Sequence, residues 1–113
     1  MKYLEYKGYT GSIEYSSEDN LLYGKVLGIR GLISYEGETG KSLEADFNEA
    51  VDDYVSDCKN DGRTPEKPFK GSFNVRIPAT LHQKAALLAI EAKVSLNSFV
   101  AEAIRSRVTK EPA

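Results

Sequence analysis

Gly71-Ser-Phe-Asn-Val-Arg-Ile-Pro78 decides the reading of this chain. A strand alternates its side chains, so Phe73, Val75 and Ile77 share one face while Ser72, Asn74 and Arg76 share the other. The first face is wholly apolar. The second offers a hydroxyl, an amide and a guanidinium, and Asn and Arg are the side chains that pair bidentately with adenine and guanine edges in the major groove. The stretch is therefore a candidate for reading DNA sequence. A solvated edge strand would alternate in the same way, and the residues after Ile77 separate the two readings.

Pro78 pre-sets a helical backbone angle at a position where a missing N–H does no harm. Behind it Leu81, Ala85, Leu88, Ala89 and Ala92 recur at helical spacing, and the pattern breaks at Lys93-Val94. Ser95 then suits an N-cap, and Leu96, Phe99, Val100, Ala103, Ile104 and Val108 form a second stripe. A strand and two helices within residues 71–113 are too small to bury these stripes alone. Two copies solve the problem: their strands pair into an antiparallel ribbon, apolar faces down on four helices, polar faces outward together.

This segment resembles a ribbon-helix-helix domain of the MetJ/Arc class, through Phe73-Asn74-Val75-Arg76-Ile77-Pro78 and Ser95-Leu96-Asn97-Ser98. The resemblance implies that Ser72, Asn74 and Arg76 read bases. It also implies that the start of the second helix, Ser95, Leu96, Asn97 and Ser98, holds a phosphate on free N–H groups. One departure is visible. The turn between the helices usually carries a left-handed Gly, where this chain offers Lys93, at a strain of roughly 1–2 kcal/mol.

The 113 residues allow one domain or two very small ones. Net charge is slightly acidic, at −2, but unevenly spread. Residues 71–113 carry six Lys/Arg against three Glu, a net of +3, while residues 1–70 carry nine against fourteen acids, a net of −5. A basic module joined to an acidic one suggests two partners of opposite character. The division falls near Asp61-Gly-Arg-Thr-Pro-Glu-Lys-Pro68, whose Gly and two Pro end a helix and begin a linker. The expected organisation is residues 1–62, a linker at 63–70, and residues 71–113. No apolar run is long enough to span a membrane and no leader pattern opens the chain, so a cytoplasmic location is expected. The single Cys58 and single His82 cannot make an internal disulfide or a zinc site, and no cofactor motif or small-molecule substrate site is expected.

The acidic half reads as three strands and a helix, a two-layer α+β unit. Tyr9 to Ser16 alternates, Ser17-Glu-Asp-Asn20 turns, Leu22 to Leu27 and Leu32 to Tyr35 follow, and Glu36-Gly-Glu-Thr-Gly40 turns again. From Ser42 to Cys58 the residues Leu43, Phe47, Ala50, Val51, Tyr54, Val55 and Cys58 form a helical stripe, with Glu44, Glu49, Asp52, Asp53 and Asp57 opposite.

Tyr6-Lys-Gly-Tyr-Thr-Gly-Ser-Ile-Glu-Tyr15, Tyr23-Gly-Lys-Val-Leu-Gly-Ile-Arg-Gly31, Val51-Asp-Asp-Tyr54 and Pro65-Glu-Lys-Pro-Phe69 resemble the HicB family of antitoxins. That resemblance implies a βββα unit like a partial RNase H core that neutralises a basic, mRNA-cleaving HicA-type toxin. It further implies a C-terminal homodimer, open to higher assembly, that binds DNA at the promoter of the shared operon and represses it. Negative charge would help an inhibitor cover a phosphate-binding surface, so Glu49, Asp52, Asp53 and Asp57 are candidate toxin contacts. Glu14, Glu44 and Asp46 are conceivable two-metal ligands, but nothing in their spacing requires them to converge, so an enzyme is not expected. The competing reading is a stand-alone ribbon-helix-helix transcription regulator whose N-terminal half senses a ligand or adds oligomerisation surface.

Overall fold

In the computed structural model, which describes residues 2–110, the chain divides into two units, Met1–Ser72 and Phe73–Ala113. The first unit is α+β, with five antiparallel strands and one helix. Strands β1 (Leu4–Tyr6) and β2 (Tyr9–Gly11) meet through Lys7-Gly8, both at positive φ, with Tyr6 opposite Tyr9. Two left-handed residues in a two-residue loop match the right-handed twist of the paired strands. Strand β3 (Glu14–Ser16) comes next, then β4 (Leu21–Leu27) and β5 (Ser34–Gly37), which pairs with β4.

The expected three strands are thus five. Strand β1 was not anticipated, and the single strand expected over Tyr9–Ser16 is two. Both lie against β4 in one continuous register, Gly11 opposite Val26 and Glu14 opposite Tyr23. The interruption has a local cause. Tyr35, opposite Gly24, reaches past it to donate its hydroxyl to the Ser12 carbonyl at 2.8 Å and the Lys25 carbonyl at 3.2 Å. The Lys25 N–H accordingly goes to Ser12 Oγ, at 3.0 Å, instead of completing the ladder. A Cβ at Gly24 would collide with the Ser12 carbonyl, so only glycine allows this approach. Burial pushes the Tyr35 phenol up to about 12, which keeps it a hydrogen-bond donor.

Helix α1 (Gly40–Asn60) starts two residues before the expected Ser42 because Thr39 and Ser42 form a reciprocal capping box. Its inner stripe, Leu43, Phe47 and Val51, is buried against Tyr9, Val26 and Tyr35 of the sheet. The rings of Phe47 and Tyr35 meet edge to face with centroids 5.0 Å apart. Cys58 is buried as a small hydrophobe. Strand β5 is held to α1 by Asp46, which accepts the Glu36 N–H at 2.8 Å and so occupies a donor on a strand paired only with β4.

The segment expected as a linker belongs to this unit. Glu66 fastens it: the backbone N–H donates to the Tyr54 hydroxyl (2.8 Å) and the carbonyl accepts from Tyr9 (3.2 Å). The carboxylate accepts the N–H groups of Arg30 (2.9 Å) and Gly31 (3.2 Å), which hold it below the usual carboxylate range. Phe69 donates its N–H to the Gly28 carbonyl at 3.1 Å, and its ring occupies the space a Cβ at Gly28 would need. The division between the two units falls at Ser72–Phe73.

The second unit contains α2 (Ala79–Glu91) and α3 (Leu96–Lys110), which pack on each other. Helix α2 ends in a Schellman motif: Val94 N–H donates to the Ala89 carbonyl and Lys93 N–H to the Ile90 carbonyl, both at 3.0 Å. Lys93 takes the left-handed position, φ 59°, as its place in the sequence suggested. Lys93→Gly is therefore expected to stabilise this unit by about 1 kcal/mol, measured by urea unfolding at fixed protein concentration. A lower midpoint would mean that the lysine side chain contributes more than its backbone strain costs.

Candidate nucleic-acid interface and acidic helix face

Residues 73–77 form no strand in the single chain. A strand exists only through a ladder, and the first unit ends its own ladder at β5. The segment's apolar residues are uncovered: Phe73, Val75 and Ile77 are 72, 64 and 45 % exposed. Ser72, Asn74 and Arg76 are exposed as well. Among the described residues of this unit only Ala89 is buried. Leu81 and Leu88 on α2, and Val100, Ile104 and Val108 on α3, all face solvent. Apolar surface on this scale is not how a self-sufficient unit ends. At about 25 cal/mol per Å² of apolar area, covering it is the largest favourable term open to the segment.

The start of α3 is an N-capped turn. Ser95 Oγ accepts the Ser98 N–H at 3.0 Å and donates to Ser98 Oγ at 2.9 Å. The Phe99 N–H donates to the Ser95 carbonyl at 2.9 Å. In the first turn of any helix the leading N–H groups lack an intrahelical acceptor. With Ser98 capped, the N–H groups of Leu96 and Asn97 remain at the positive end of the helix dipole, where an anion is favoured. The structure gathers Ser95, Leu96, Asn97 and Ser98 into one turn, with the two serines bonded to each other. His82 is exposed on the first turn of α2.

The four acidic candidates on α1 differ in their engagement. Glu49, Asp53 and Asp57 are exposed at successive i, i+4 positions and make a row along the helix. Asp52, three residues after Glu49, is partly exposed. It accepts from the Tyr6 hydroxyl at 3.0 Å and pairs with Lys7 Nζ at 2.7 Å, fastening the β1–β2 turn to α1. The Lys7 ammonium, with help from Tyr6, holds its carboxyl below the ordinary range. Of the conceivable metal ligands, Asp46 is engaged with the Glu36 N–H and Glu14 accepts from Ser12 Oγ at 3.3 Å. Among the described residues no group of three or more His, Cys, Asp or Glu side chains is placed to hold a metal ion. Nor is any described helix long and apolar enough to cross a membrane.

Sequence reasoning missed Glu66 and the double use of Tyr35. Neither carries a local signal, since partners lie 35 and 36 residues away for the Glu66 carboxylate and 23 and 10 for the Tyr35 hydroxyl.

The model of the HicB family matches residues 54–104, a little under half of the chain, from the last turns of α1 through the fastened segment to α3. Over that stretch the chain is similar to the HicB family. Comparison with curated proteins and with solved structures gave no significant match.

Proposed function

We propose that this chain is a HicB-family antitoxin, with a C-terminal ribbon-helix-helix unit that dimerises on DNA and an N-terminal, partial RNase H-like unit that neutralises a HicA-type toxin. The observation that carries the reading is the second unit's exposed apolar face, alternating with Ser72, Asn74 and Arg76 and continued by α2 and α3. Pairing Phe73–Ile77 with its twin supplies the missing ladder and covers Phe73, Val75 and Ile77 in one step. The same step presents two copies of the polar face to one major groove. The Leu96 and Asn97 N–H groups then hold the flanking backbone, and the basic surplus of residues 71–113 supplies the salt-sensitive part of the affinity.

Toxin docking falls to the acidic unit. Its row Glu49, Asp53 and Asp57 is free to meet a basic surface, whereas Asp52 remains committed to Lys7. Binding both partners lets one chain silence the toxin and repress the operon that encodes the pair.

Arg76→Ala tests the DNA half. Titrated against DNA from the chain's own promoter, it is expected to lose on the order of 1–3 kcal/mol, roughly ten- to a hundred-fold, and to relax preference at one base position. Toxin binding should be unchanged. Wild-type affinity for the promoter would remove Arg76 from the interface.

A further inference from the structure

Three basic side chains gather where the first unit runs out toward the reading face. Arg30, Lys67 and Lys70 are exposed and, with Glu66, line one shallow recess of about 340 Å³. The backbone beneath them is tied down. The Glu66 carboxylate accepts the Arg30 and Gly31 N–H groups, and the Gly28 carbonyl accepts the Phe69 N–H beside Lys70. Among the described residues none of the three cations stands at salt-bridge distance from a carboxylate. Glu66, the acid of the recess, already has both oxygens on backbone donors, and Arg30 and Lys70 lie near enough to help keep it ionised. Residues 1–70 carry a net charge of −5, so a held cluster of cations there is a local reversal of sign that favours an anion.

The reach of the chain says which anion. Lys70 stands two positions before Ser72, the first proposed base-reading residue and the last residue of the first unit. Two residues span at most about 7 Å, and the major groove is about 12 Å wide. A Ser72 at a base edge therefore brings Lys70 to the groove wall, where the phosphates lie. Lys67 and Arg30 follow, because the same fastened segment carries the recess. We propose that Arg30, Lys67 and Lys70 bind backbone phosphates of the DNA that the ribbon reads, giving the first unit a sequence-independent grip of its own. Contacts of this kind position a protein on the duplex without specifying sequence. They supplement the ribbon and do not replace it. The inference rests on the ribbon reading of residues 72–76.

A band-shift titration of the full chain on DNA from its own promoter, repeated over a series of salt concentrations, tests it. Lys67→Gln combined with Lys70→Gln should weaken binding about ten-fold or more at low salt, and lower the log–log salt slope by about 0.9 for each phosphate contact removed. Arg30→Gln should act in the same direction. Base preference should stay that of the wild type, unlike the Arg76→Ala variant, and toxin affinity should be unchanged. Lys2→Gln combined with Lys41→Gln removes the same charge from exposed positions outside the recess, and should leave the slope at its wild-type value. A wild-type slope for the Lys67 and Lys70 variant, or an equal loss from the Lys2 and Lys41 variant, would overturn the proposal. A wild type that does not bind its promoter would instead remove the ribbon reading, and the phosphate contacts with it.

Discussion

Val75→Asp is expected to abolish the dimer and leave residues 73–110 without a stable fold, while Met1–Ser72 keeps its own. In the single chain Val75 is 64 % exposed, and a substitution at a true surface position changes stability by only about ±0.5 kcal/mol. If the residue lies beneath a paired ribbon, the same change buries two unpaired carboxylates, one from each protomer, near a two-fold axis. An uncompensated buried carboxylate costs several kcal/mol or forces its own neutralisation. A unit in which Ala89 alone is buried among the described residues has little with which to offset that cost. Sedimentation equilibrium and far-ultraviolet circular dichroism read the outcome together, as halved mass and lost helix signal. A variant with wild-type mass and helicity would place Val75 at the surface.

The second large effect lies in the other unit. Phe47 is fully buried, seated against Tyr35 and filling the space beside Gly11. Phe47→Ala should cost about 3–5 kcal/mol, because the sheet cannot collapse into the vacated volume. Unfolding free energies run near 0.05–0.15 kcal/mol per residue, so the loss takes much or all of this unit's stability. Calorimetry should show its transition lowered or gone, and toxin binding lost with it. Promoter binding should persist, since all of the proposed reading face but Ser72 belongs to the second unit. If DNA affinity fell equally, the two units would not be independent in function.

The range of the forces involved decides which features were legible in the sequence. The Ser95 cap, the left-handed Lys93 and the helix α1 stripe are local patterns, and each appears in the structure as local geometry. The split of the first strand was not legible, because it depends on a phenol from β5 crossing a glycine of β4. Nor was the fastening of residues 63–70, since Gly and Pro mark where a helix stops and not whether the chain beyond it is held. There the deciding contacts come from Tyr9, Arg30, Gly31 and Tyr54. The acidic candidates show the same limit. Helical spacing groups Asp52 with its neighbours, and only the β1–β2 turn reveals that Lys7 claims it.

The ribbon itself is tested most directly by amide hydrogen exchange at residues 73–77 in the full chain. In an antiparallel pair the ladder bonds engage alternate residues, so protection should alternate along the segment and fall as the protein is diluted below its dimer dissociation constant. Amides that all exchange freely at high protein concentration would contradict the account.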